Sequence, residues 1–239
     1  MAIYVRGQMV IEDSSLIELR EGELEVIGRL VDASNASLLC QLPSGKQVVY
    51  KPIAGERPLW DFPDGDLASR EVAAFYIDQV LGFQIVPNTV MRDGPFGPGA
   101  VQEWIDIDPA IDVVSMASSE NTKIRSMSLL DCILNNTDRK FGHILIKSNE
   151  EIFGCDHGVT LHSDPKLRTV LWQFAGMHLT DIEITSLSKL AKSLDLDYLQ
   201  TLITSEEITA LLHRVDSLLE ASSFPDPNPN WPPVPWPPY

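Results

Sequence analysis

Apolar positions change their period several times along the chain, and each change marks an element. In Leu24 to Leu30, Ser37 to Leu42 and Gln47 to Lys51, apolar residues alternate with polar ones or run in short blocks, the spacing of strands. Pro43-Ser44-Gly45-Lys46 supplies the turn between the last two. Leu67 to Leu81 repeats instead every three or four residues, with Val72, Phe75, Tyr76, Val80 and Leu81 roughly on one face, and predicts a helix. Val86 to Met91 and Ala100 to Ile105 read as two further strands joined by a tight loop, Arg92 to Gly99. Ahead of the strands, Ser15 and Glu18 have capping-box spacing and open a short helix that stops near Gly22. Ala54 to Asp66, rich in Gly, Pro and aromatic residues, reads as an ordered loop.

Helical periods dominate the second half. Asn121 to Leu134 is amphipathic, and two short strands, His143 to Lys147 and Glu151 to Cys155, flank a Ser148-Asn149-Glu150 turn. Helices are expected over Thr180 to Leu194, Leu196 to Leu202 and Ser205 to Ser222, the last opened by a Thr204/Glu207 capping box. The layout is α+β: a β-rich lobe with one helix over residues 1–103 and a mainly helical lobe with a small hairpin over 104–223. A hinge is expected near Gln102 to Asp106, and a proline-rich tail covers 224–239. The tail's prolines bar a helix and favour extended polyproline II. It either serves as a ligand for an aromatic-lined groove in a partner or lays Trp231 and Trp236 on its own helical lobe; the high average burial of tryptophan favours the second.

At 239 residues and 44% hydrophobic, the chain can build a full core as one large domain or two small lobes. A net charge of -16 argues against nucleic acid and against an anionic membrane surface as primary partners. No apolar run approaches the roughly 18 residues of a membrane span. Met1 to Arg6 does not have the pattern of a secretory leader, and Cys40, Cys132 and Cys155 are odd in number and widely spaced, so a reducing, cytoplasmic setting is expected. Cys155 reads as a small apolar residue on a buried strand rather than a reactive thiol.

The chemistry concentrates in two segments. Leu134-Asn135-Asn136-Thr137-Asp138-Arg139-Lys140-Phe141-Gly142-His143 places an Asp-Arg pair after an apolar helix and a His five residues after that Asp. A hairpin then delivers Gly154-Cys155-Asp156-His157-Gly158. Phosphoryl transfer needs one carboxylate to orient an attacking hydroxyl and another to hold the metal that bridges nucleotide phosphates, and Asp138 and Asp156 stand in that order. Aspartates in turns otherwise cap backbone groups.

With Val49-Tyr50-Lys51-Pro52, Gly55-Glu56-Arg57-Pro58-Leu59-Trp60-Asp61-Phe62-Pro63 and Arg70-Glu71-Val72-Ala73, these segments give the chain a family likeness between Gly28 and Trp172. It resembles the kinase-like superfamily that includes phosphatidylinositol 3-/4-kinases and HipA-type kinases, and most of all the small bacterial, especially actinobacterial, phosphatidylinositol-kinase-related proteins. The resemblance implies a bilobal protein-kinase-like fold that uses ATP and Mg²⁺, with Mn²⁺ as a possible substitute.

By that resemblance Lys51 reaches the nucleotide phosphates and Glu71 holds it in place, although Arg70 or Asp61 can compete for the structural role. Adenine would lie near Gln102, Glu103 and Trp104. Asp138 is the catalytic carboxylate and Asp156 the metal ligand. Asp32 to Ser37 stands where a phosphate-covering loop belongs but lacks glycines; Ser34, Asn35 and Ser37 either donate to phosphate or form an ordinary polar turn. His143 occupies the place where related kinases carry a metal-binding Asn. That departure leaves open a single-metal site, Mn²⁺ tolerance, weakened catalysis or simply a core histidine. Lys166 and Arg168 follow the metal Asp and either face an anionic group on the acceptor or are surface charges.

The expected enzyme transfers the γ-phosphate of ATP to a hydroxyl, with a soluble small molecule ranked ahead of a protein Ser/Thr and a membrane phosphoinositide disfavoured. A nucleotide-binding regulator without turnover, a transferase of AMP and an adaptor acting through the tail are the alternatives.

Overall fold

The structure, a computed structural model, describes residues 2–5, 8–11, 14–30 and 35–239. Its residues gather into two compact units, 1–57 with 88–104, and 58–87 with 105–239.

In the first unit, β1 (Ala2–Val5) and β2 (Gln8–Ile11) pair as an antiparallel hairpin to which the sequence reading assigned no element. Helix α1 (Ser14–Glu21) follows. Ser15 lies inside this helix rather than at its cap, and Glu18 accepts a hydrogen bond from the Ser44 amide, so the expected capping box gives way to a tie between helix and hairpin turn. Strands β3 (Glu25–Arg29), β4 (Leu38–Gln41), β5 (Gln47–Pro52), β6 (Thr89–Gly94) and β7 (Gly97–Glu103) form an antiparallel sheet in the order β3-β4-β5-β7-β6. Leu19 of α1 packs with Leu24, Cys40, Val48, Tyr50, Val90 and Val101 as the core of this unit.

The expected loop from Arg92 to Gly99 is mostly strand. Pairing continues to Gly94 opposite Gly97, leaving Pro95 and Phe96 as a two-residue turn, and Gly97 re-enters the strand at a φ of 92°. Two glycines of this stretch have a packing reason. A Cβ at Gly94 would come within 2.6 Å of the Tyr50 ring, and one at Gly99 within 2.7 Å of Pro52 Cα.

The second unit is helical: α2 (Leu67–Leu81), α3 (Val113–Ala117), α4 (Thr122–Leu134), α5 (Asp181–Ser193), α6 (Leu196–Gln200) and α7 (Ser205–Ala221), with the small hairpin β8 (Ile144–Ile146) and β9 (Ile152–Gly154). Of these, α3 is an addition to the expected elements. Asp66 caps α2 by accepting from Ser69 N at 2.6 Å, and Gly82 ends it at a φ of 77°. Apolar and polar residues alike are buried around α2, Arg70, Glu71 and Asp78 included, so it is a core helix rather than a one-faced surface helix. Capping boxes start both α5 (Thr180 with Glu183) and α7 (Thr204 with Glu207). Helix α4 carries the densest core, with Ile124, Met127, Leu129, Leu130, Ile133 and Leu134 fully buried.

The proline-rich tail lies along this second unit. Trp231 donates from its indole to Lys166 O at 3.1 Å, whereas Trp236 is 88% exposed, so one of the two tryptophans packs on the helical lobe as expected and the other does not. Among the described residues, no helix is long and apolar enough to cross a membrane.

Candidate active site

The site in the second unit is built outward from the end of α4. Helix α4 stops because Asn135 takes a left-handed φ of 52°, a conformation asparagine tolerates at helix ends. Its side chain then holds the following segment. Nδ2 donates to His162 O at 3.0 Å and Asp164 O at 2.6 Å, and Oδ1 accepts from Lys166 N at 2.9 Å. Asn136 performs the complementary task. Nδ2 donates to Asp131 Oδ1 at 3.0 Å while Oδ1 accepts from Asp138 N at 3.0 Å, an Asx turn that presents Asp138. Asp138 itself is part-exposed and lies 3.2 Å from Lys140 Nζ.

Arg139 points the other way, into the core, and is fully buried. Its Nε and Nη2 donate to Asp131, Nη2 reaching Oδ1 at 2.9 Å, and its Nη1 donates to Cys155 O at 3.0 Å. Thr169 Oγ1 donates to the other carboxylate oxygen of Asp131 at 3.1 Å. Burial opposes the guanidinium charge, but the Asp131 carboxylate outweighs it and raises the Arg139 pKa above the ordinary arginine value. Gly154 makes room for this group, since a Cβ there would lie 3.0 Å from Nη1. One buried cation thereby joins α4, the Asp138 loop and the hairpin that ends before Asp156.

A further contact of Arg139 fixes a histidine. Its Nη2 lies 2.7 Å from His157 Nε2, and because a guanidinium only donates, Nε2 must accept and the ring proton sits on Nδ1. Nδ1 faces Glu71 Oε2 at 4.0 Å, with both side chains buried. Gly158 allows α2 to come this close, because a Cβ there would meet Leu67 Cβ at 3.1 Å. Arg70, next along α2, donates to Thr160 O at 2.9 Å and pairs with Glu207 at 2.6 Å.

Asp156 occupies a left-handed φ of 60° and its carboxylate is exposed. His143 Nε2 stands 3.5 Å from Asp156 Oδ2, so two residues that the sequence separates by a hairpin meet here. Burial lowers the His143 pKa, with the Asp156 carboxylate pulling the other way, and the neutral imidazole retains a lone pair for a metal. No group of three or more His, Cys, Asp and Glu side chains able to hold a metal is found among the described residues. A carboxylate with one further donor nevertheless fits an ion that arrives with nucleotide phosphates and keeps several waters, the usual habit of Mg²⁺.

The other expected site residues fall as follows. Lys166 and Arg168 are both engaged within the unit. Lys166 Nζ lies 3.1 Å from His162 Nε2 and 3.7 Å from Asp61 Oδ2, and Arg168 Nε donates to Thr137 O at 2.7 Å with its guanidinium over the Trp231 ring. Lys51 belongs to the first unit, half-buried on β5 opposite Ala100, while Glu71, its expected partner, belongs to the second. In the first unit Asn35 Oδ1 accepts from Arg57 N at 2.9 Å, Ser37 is buried and Ala36 N donates to Gly55 O. The loop after β3 is thereby sewn to the segment after Lys51. Ser34 lies outside the described residues. Gln102 turns its amide inward to Thr89 Oγ1 at 2.9 Å, Glu103 accepts from Asn88 Nδ2, and Trp104 N donates to Gln47 O.

Asp131, Thr169 and the buried role of His157 were missed in the sequence. Asp131 had a readable signal, because it is the one charge within Leu129-Leu130-Asp131-Cys132-Ile133-Leu134 and a carboxylate in such a run needs a partner.

No family model matches the chain. It is 38% identical over 272 aligned positions to Protein Rv2133c of Mycobacterium tuberculosis, covering 97% of this chain and 98% of that one. It is 25% identical over 169 positions to phosphatidylinositol 4-kinase gamma 1 of Arabidopsis thaliana, covering 58% of this chain and 30% of the plant protein. Among solved structures, hydra Fam20 with sugar superposes with a TM-score of 0.59 at 16% identity, covering 92% of each chain. The Golgi casein kinase with Mn/ADP bound gives a TM-score of 0.58 at 16% identity, covering 87% of this chain and 74% of that one. The α+β architecture is therefore kinase-like, and by near full-length similarity the chain belongs to the family of Protein Rv2133c of Mycobacterium tuberculosis.

Proposed function

We propose that the protein is an ATP-dependent phosphotransferase that moves the γ-phosphate to a hydroxyl acceptor. The observation that carries the reading is the placement of Asp138 and Asp156. Each is held by its own anchored turn while Arg139 between them is sunk in the core, so one carboxylate is left to the acceptor and the other to a metal. Asp138 orients the acceptor hydroxyl and receives its proton as attack proceeds. Lys51 supplies a point charge for the nucleotide phosphates, with Glu71 as its orienting carboxylate. Asp156 with His143 would hold the divalent ion, which when bound neutralises charge building on the phosphate oxygens. Adenine is assigned to the Gln102-Glu103-Trp104 stretch.

A kinase-like fold supports this reading, and so do the names of one neighbour by fold, a Golgi casein kinase with Mn/ADP bound, and one relative by sequence, a phosphatidylinositol 4-kinase. Placement within the phosphatidylinositol-kinase-related group is part of the same proposal and rests on the family-like motifs and the 25% identity to the plant phosphatidylinositol 4-kinase alone. The acceptor is assigned to a soluble small molecule ahead of a protein Ser/Thr. Lys166 and Arg168, already paired inside the protein, make a second anion site for a lipid headgroup less fitting. One observation favours a second reading, a nucleotide-binding regulator: the group beside Asp156 is the His143 imidazole, a soft nitrogen in place of a hard oxygen donor.

The test is conversion of ATP by the purified chain with Mg²⁺ or Mn²⁺, with and without a pool of hydroxyl metabolites, beside Asp138→Asn. Turnover that rises with the pool and falls on the order of 10²- to 10⁴-fold in the variant supports the kinase. Nucleotide binding with no product under any condition would place the regulator first, and release of pyrophosphate would replace phosphoryl transfer by AMP transfer.

A further inference from the structure

The proline-rich tail touches the candidate site at two places, and both are backbone amides that the site's own network leaves over. Phe141 lies midway between Asp138 and His143, and its amide donates to Pro238 O at 2.8 Å while its ring tilts against Tyr239 at 5.3 Å. Thr169 is the residue whose hydroxyl holds Asp131, and its amide donates to Pro233 O at 3.0 Å. Trp172 Nε1 donates to the same Pro233 carbonyl at 2.7 Å, and Trp231 closes the row on Lys166 O and the Arg168 guanidinium.

The residue types suit this task. Five of the nine residues from Trp231 to Tyr239 are proline, so most of the stretch has carbonyls to offer and no amide of its own to satisfy. Proline also fixes φ in advance, and the stretch loses little conformational entropy when it docks. Pro235 is buried although Trp236 beside it stands in solvent, so the tail is seated by its backbone and prolines together with the Trp231 ring.

From this pattern we propose that residues 231–239 are a positioning element of the active site, fixing the loop that carries Asp138 and His143 relative to the Arg139–Asp131 core. The segment touches no reacting atom. It ties Phe141 on one side and Thr169 on the other, and the parallel bridge between Arg139 and Thr169 joins the two attachments through the core. Loss of the tie lets the loop of Asp138 and His143 move while Lys51 and Asp156, which lie outside it, stay in place. The proposal rests on the phosphotransferase reading above.

The experiment compares the full chain with two shortened ones, lacking residues 237–239 or 230–239. The probe is Mn²⁺-dependent conversion of ATP to ADP with water as acceptor, and amide exchange over 138–143 is followed in parallel. The shorter deletion removes only surface residues and the Pro238 tie, so it leaves the Pro233 contacts and the fold intact. Expected are faster exchange at Phe141 and a kcat lower by roughly 10- to 100-fold, the cost of an ångström-scale misplacement, with KM for ATP within about twofold. A peptide of residues 229–239 added to the longer deletion restores kcat. Equal kcat in all three chains overturns the proposal and leaves the phosphotransferase reading standing. A fall confined to thermal stability, or a rise in KM for ATP alone, also overturns it, since neither separates positioning from ordinary packing. A full chain that turns over no ATP under any metal takes down the reading and the proposal together.

Discussion

Neutralising Asp131 should destabilise the protein in one background and stabilise it in another. Arg139 and Asp131 are both fully buried and 2.9 Å apart, so removing either partner strands a charge in a dry interior. Breaking a buried pair of this kind costs about 3–5 kcal/mol. In Arg139→Met the Asp131 carboxylate retains only neutral donors, Asn136 Nδ2 and Thr169 Oγ1, neither of which supplies a counter-charge. At roughly 2–4 °C per kcal/mol for a unit of this size, the melting midpoint should fall by about 6–20 °C. Asp131→Asn alone strands the arginine and should cost a similar amount. Made together with Arg139→Met, the same Asp131→Asn change should return about 2–3 kcal/mol, because the amide oxygen still accepts from Asn136 while the uncompensated charge is gone. Urea titrations read by tryptophan fluorescence give all four corners of the cycle, with Trp172 and Trp231 both reporting from this unit. Equal destabilisation by Asp131→Asn in both backgrounds would refute the reasoning, because the charge would then not be what the network balances.

Other expectations follow from single positions. Burial pushes the Asp78 pKa up to about 6, against the amides of Ile85 and Val86 that its Oδ2 accepts. A folded-state value above the unfolded one means that its favourable contribution is complete below about pH 4 and is lost as pH rises through about 6, a swing of about 3 kcal/mol. Stability measured from pH 4 to 7.5 should therefore improve for Asp78→Asn relative to the parent as pH rises; a gap independent of pH would contradict this. Gly99→Ala pushes a Cβ against the backbone of Lys51 and Pro52 and should cost about 1–3 kcal/mol, while a neutral result would mean that β5 and β7 can part at no cost. His143→Asn replaces a nitrogen donor by a hard oxygen and should raise turnover with Mg²⁺ relative to Mn²⁺ roughly tenfold, a step of about 1.4 kcal/mol; an unchanged ratio would remove His143 from the metal site.

Local chemistry carried much of this protein. The period of apolar residues located α2 to the residue, and Thr204 with Glu207 marked the start of α7, because a cap is a property of four neighbouring residues. Asp138, His143 and Asp156 could be picked out as candidates, since each lies in a short continuous motif, and the 3.5 Å approach of His143 to Asp156 is what the hairpin then adds. Where sequence reading went astray, distant residues decided. The stretch Arg92 to Gly99 looks like a loop until the Tyr50 ring and the Pro52 backbone are seen to need the bare Cα atoms of Gly94 and Gly99. For Lys166 and Arg168 the sequence left a site role and a surface role open, and the partners Asp61, Thr137 and Trp231 are brought to them from far along the chain. The buried network of Asp131, Arg139 and His157 belongs to the same class. A charge can sit in a core only when its partners arrive from other elements, and that arrival is settled by the packing of α4, the hairpin and the Thr169 segment. The sequence determined which residues can do chemistry, and the tertiary structure decided which of them are spent holding the others in place.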